Sequence, residues 1–106
     1  MAPPPPLFLA SCNGDIEKVK QLLRREGTKV NQRNKHGVTP LLAAAQKGHD
    51  NVVEVLLEEQ AIIVNLADKD GDTPLSMAVK NGHVKVVKLL LQRDEIKLNN
   101  YIHTQG

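Results

Sequence analysis

Displaced by 34 residues, the chain matches itself. Gly37 falls on Gly71, Thr39 on Thr73, Pro40 on Pro74, Leu41 on Leu75, Gly48 on Gly82 and His49 on His83. One step earlier, Pro6, Leu7, Ala10 and Gly14 hold the same register. Asn31, Asn65 and Asn99 close successive units, after Val30, Val64 and Leu98. No gap is needed. A period within about 20–50 residues marks stacked units, each too small to bury an apolar face alone.

Each unit reads as helix–turn–helix followed by a polar loop. Thr39 and Thr73 suit the N-cap, where a side-chain oxygen satisfies an orphaned backbone N–H. Pro40 and Pro74 suit the first helical position, which needs no N–H donor. Gly14, Gly48 and Gly82 stop the short first helices by taking a left-handed conformation. The spacing predicts helices near residues 6–13, 16–26, 40–47, 50–59, 74–81 and 84–93, with almost no strand. Between units, "VNQRNKHGVTP" and "VNLADKDGDTP" carry Asn, Asp and Gly as a hairpin tip requires. The aromatic residues are Phe8 and Tyr101 alone. The core must therefore use Leu, Val, Ile and Ala, which favours closely packed small helices.

The segments "NKHGVTPLLAAAQKGHDNVVEVLLEEQAIIVN" and "DKDGDTPLSMAVKNGHVKVVKLLLQRDEIKLN" resemble ankyrin repeats. The likeness lies in Gly-x-Thr-Pro-Leu, the Ala pair, Gly-His, Val-Val-x-x-Leu-Leu and the closing Val-Asn. It spans residues 7–99 and is weaker in the first unit. Leu42 and Ser76 stand where the family usually has His, and an extra residue precedes the closing Val-Asn. The resemblance implies an all-α solenoid of stacked helix-turn-helix units with hairpin-like loops. It implies one domain over residues 1–106, with repeats near 1–33, 34–67 and 68–99. Residues 100–106 would begin a fourth repeat or form a tail.

The resemblance also implies a non-catalytic scaffold that binds a protein partner through hairpin tips and the exposed side of the first helices. By position, that surface holds Cys12 and Asn13; then Lys35, His36, Val38, Gln46 and Lys47; then Lys69, Asp70, Asp72, Lys80 and Asn81. These positions vary between units while the Leu, Ala and Gly positions repeat. The first tip is basic, through Arg33 and Lys35, and the second carries three acids and one Lys. A partner with an acidic patch beside a basic one suits this arrangement.

The second helices distinguish the two ends of the stack. Where the first unit has Lys18 and Gln21, the later units have Val52 and Val55, then Val86 and Leu89. The first unit therefore reads as a polar N-terminal cap, with Pro3 to Pro6 in the place of a preceding hairpin. The opposite face stays apolar in the third unit, through Val87, Leu90 and Leu91. It is expected to be open, and to mate with further repeats, a tethered domain or a second copy. Two alternatives follow: a structural segment of a longer array, or the targeting arm of a larger enzyme.

Other chemistries are disfavoured. His49 and His83 recur one unit apart instead of converging on one centre as zinc ligands do, so a structural turn role is expected and no cofactor or metal. In "DKDGD" the Gly comes too early for a calcium loop, and Val79 stands where such a loop ends in Glu. Cys12 has no evident base, and no Gly-rich phosphate loop is present. Lys18, Lys20, Arg24 and Arg25 form a basic run diluted by Glu17 and Glu26. A net charge of +2 does not point to nucleic acid. No apolar run suggests a membrane span. The lone Cys12 fits a reducing, intracellular setting, cytoplasmic or nuclear.

Overall fold

A computed structural model describes residues 3–93. Among the described residues there are six helices and no strand. They are α1 (Pro6–Asn13), α2 (Ile16–Leu23), α3 (Pro40–Lys47), α4 (Asp50–Leu57), α5 (Pro74–Lys80) and α6, helical over residues 84–93. α1 pairs with α2 and α3 with α4. The short helices also stack directly: α3 packs against α1 on one side and α5 on the other.

Caps form as the residue types require. Thr39 Oγ1 accepts from the Leu42 N–H at 3.1 Å, and Thr73 Oγ1 from the Ser76 N–H at 3.1 Å. Ser76 returns the bond, its Oγ accepting from the Thr73 N–H at 2.8 Å, which completes a capping box. Leu42, at the equivalent position, is buried instead. The second helices end earlier than the sequence pattern predicts, at Leu23 and Leu57 against expected ends at 26 and 59. The N–H groups of Arg25, Glu58 and Glu59 reach back three residues, so each helix tightens as it stops. In the first unit the Thr28 hydroxyl donates to the Leu22 carbonyl at 2.6 Å, closing that end.

The core runs continuously through the stack. Val19, Leu41, Ala44, Ala45, Val52, Val53, Leu56, Ala78, Val86 and Leu90 are all fully or almost fully buried. Residues Leu41 to Ala45 of α3 are buried in succession, because that helix has neighbours on both flanks. The three alanines there, Ala43, Ala44 and Ala45, let the helices approach closely. Among the described residues one buried side-chain polar atom, Ser11 Oγ, has no hydrogen-bond partner. Ser11 occupies the register of Ala45, a position enclosed by the next unit.

Adjacent units are joined by a repeated lock. Gly14 and Gly48 end their helices with φ of 71° and 76°. A Cβ on Gly14 would lie 2.7 Å from the His49 ring, and one on Gly48 would lie 2.6 Å from the His83 ring. These glycines are thus required twice, by the left-handed backbone and by the neighbouring imidazole. His49 Nε2 donates to the Cys12 carbonyl at 3.0 Å, and His83 Nε2 to the Gln46 carbonyl at 2.9 Å. Gly82 has the same conformation, φ 73°, with nothing among the described residues within 4 Å of a Cβ placed there.

Candidate functional site

The two tips have the same architecture from different residues. In the first, Asn34 Oδ1 accepts from the N–H groups of His36 and Val38 at 2.9 and 3.0 Å. In the second, Asp68 Oδ1 accepts from Asp70 and Asp72 at 3.0 and 2.9 Å. Each loop closes with a backbone bond, Asn34 N–H to Val38 C=O and Asp68 N–H to Asp72 C=O. The tips are also tied together, the Lys69 N–H donating to the His36 carbonyl at 3.1 Å. The backbone of the tips is therefore fixed while most of their side chains are not. Arg33, Lys35, His36, Lys69 and Asp70 are exposed; Val38 and Asp72 are half-buried.

The remaining expected surface residues lie at the C-terminal ends of the short helices. Asn13, Gln46, Lys47, Lys80 and Asn81 are exposed, and Cys12 is half-buried. Several are also engaged in holding the stack. The carbonyls of Cys12 and Gln46 accept from the next unit's imidazole, and Asn81 Nδ2 donates to the Gln46 carbonyl at 3.2 Å. The His49 imidazole thus gives its Nε2–H to the Cys12 backbone carbonyl.

Asp68, Asp70 and Asp72 present ligand-type oxygens within 4.8 Å of one another. Asn34 builds the same turn with an uncharged amide, so turn-making accounts for Asp68. One ion pair occurs among the described residues, Lys85 Nζ to Asp50 Oδ2 at 3.1 Å. Its hydrogen bond holds the Asp50 carboxyl below its ordinary value of 3.8 and raises Lys85 above 10.5. The Lys85 side chain is 73% exposed and that of Asp50 39%, so solvent screens the pair and keeps the stabilisation small.

The open face needs correction. Leu90 is 0% exposed and belongs to the core, like its counterparts Leu22 and Leu56. Val87 is half-buried against that core, and Leu91 is 40% exposed. Val79, which sequence reasoning missed, is 60% exposed, whereas Ser11 and Ala45 in the same register are 0%. The first helices carry the stacking face along with the second, α3 packing on both α1 and α5. At the other end, Lys18 and Gln21 are exposed, as a polar cap requires. The tail residues Tyr101, Ile102 and His103 lie outside the described residues.

Asn31 was also missed as a contact between units. Its amide donates to the Ala61 carbonyl at 2.7 Å and accepts from the Ile63 N–H at 2.9 Å. The recurrence of Asn in each closing Val-Asn was the available signal. The contacts that bind one unit to the next thus recur at a fixed register, and a family model described as ankyrin repeats in three copies matches residues 7–101. The chain belongs to the ankyrin repeat family. A comparison with curated proteins finds no match. Ankyrin repeats are generally protein–protein interaction modules and typically non-catalytic. No helix among the described residues is long and apolar enough to cross a membrane.

Proposed function

We propose that this ankyrin domain is a non-catalytic adaptor that holds a protein partner against its two tips and the exposed ends of its short helices. The supporting observation is a fixed tip backbone that carries free charges of opposite sign. Arg33 and Lys35 stand on one tip and Lys69, Asp70 and Asp72 on the next, joined through Lys69 and His36. A rigid display loses little conformational entropy on binding, and the paired signs fix the partner's orientation. Affinity capture with intact and charge-reversed tips tests this. Arg33→Glu with Lys35→Glu, or Asp70→Lys with Asp72→Lys, should weaken a captured partner by about tenfold or more. The melting temperature should hold, because these side chains contribute little to the core. A partner indifferent to both pairs would move the site elsewhere.

A second reading is assembly through the third unit. It is favoured by the exposure of Val79 and Leu91 at positions that are enclosed in the second unit, by Ala45 and Leu57.

A further inference from the structure

We propose that the first unit carries a docking groove for an acidic, extended peptide segment. The proposal rests on the interaction-module reading and names the chemistry of a partner. Two cavities, of about 510 and 300 Å³, meet at Gln32 and follow the edge of the first unit from Pro3 to Gly27. Their apolar surface comes chiefly from the proline run, with Leu7 and Leu22, each 5% exposed, adding little. Their charged lining is Arg33 and Lys35 in one, Arg25 and Lys29 in the other, with no Asp or Glu in either. None of these four cations has an ion-pair partner among the described residues.

Four uncompensated cations beside an apolar floor select an anionic ligand with apolar side chains. Proline has no N–H, so the proline wall cannot pair with a ligand as a sheet edge does. Recognition there must come from ring contact and side-chain charge. Single-stranded nucleic acid would be held by aromatic stacking as well as charge, and no aromatic residue lines either cavity. An extended peptide carrying Asp and Glu beside Leu and Pro meets both requirements. Its carboxylates reach the Arg and Lys heads, and its apolar groups lie on the prolines.

Fluorescence anisotropy with a short labelled peptide of Asp, Glu, Leu and Pro tests the groove. Its controls are the same peptide with Lys for each acid, and a short oligothymidylate. The acidic peptide should bind saturably and weaken as salt screens the charges. Arg33→Glu with Lys35→Glu should cost about tenfold or more. Lys18→Glu with Lys88→Glu, exposed cations outside both the groove and the proposed partner surface, should change binding by less than about twofold. If the first pair disturbs folding, Arg33→Gln with Lys35→Gln must still show the loss. No saturable binding, an equal loss from the control pair, or equally tight oligothymidylate binding would each overturn the proposal. The broader reading fails separately. A partner lost on reversing Asp70 and Asp72 but insensitive to Arg33 and Lys35 removes the groove and keeps the adaptor; one insensitive to both removes the adaptor.

Discussion

Gly48 and Gly82 form a natural pair of probes, because their φ values agree at 76° and 73° while their surroundings differ. Alanine at either must accept a left-handed backbone, at roughly 1–2 kcal/mol. At Gly48 it must also displace the His83 ring, which would lie 2.6 Å from the new Cβ. Urea unfolding should therefore find Gly48→Ala costlier than Gly82→Ala, and His83→Ala should remove much of the difference. Equal costs would mean that the imidazole moves aside freely. Ser11→Ala should raise stability by about 1 kcal/mol, since it deletes a buried hydroxyl without a partner and adds helix propensity. An unchanged or lower midpoint would show that the hydroxyl is satisfied in solution. The sequence carried the left-handed requirement at these glycines, because Gly at a helix end has a local cause. It could not carry the second requirement, because the imidazole arrives from a residue 35 positions along the chain, as with Gly48 and His83.

Among the elements, helix existence was legible and helix length was not. Thr-Pro and Gly bracket α3 with local chemistry, and that helix spans Pro40–Lys47 as expected. α2 and α4 stop without a glycine cap at Arg24 and Glu58, by tightening over their last turn, and nothing in their composition announces it. Part of the support for α4 comes from outside its unit. Arg93 Nη1 donates to the Leu57 carbonyl at 2.6 Å, placing a cation at the helix C-terminus. The burial pattern makes Leu56 and Lys18 a discriminating pair. Leu56→Ala should destabilise by roughly 2–5 kcal/mol, for lost burial and a cavity at a fully enclosed site. Lys18→Ala, on the solvent side of the cap, should cost less than about 0.5 kcal/mol. Similar small effects in denaturation would contradict the assigned faces.

For the whole molecule, the 34-residue register determined the architecture, the number of helix pairs and the polar first end. It did not determine which apolar residues the third unit leaves exposed. Leu90 turns into the core as Leu22 and Leu56 do, and the short helix α5 exposes Val79 instead. If the third unit self-associates, Val79→Gln with Leu91→Gln should shift sedimentation toward the monomer. An oligomer that survives both changes would have to use another surface. The candidate tip residues were legible as a surface, since polar turn chemistry marks them, but their mutual fixation through Lys69 and His36 is a property of the stack. The Gly-His lock has a further consequence, for how the two tips stay aligned. One lock joins the first unit to the second through His49, and one joins the second to the third through His83. The basic tip stands on the second unit and the acidic tip on the third, so the His83 junction is the one that spans them. A molecule in which that junction loosened would keep both sets of charges while losing their alignment.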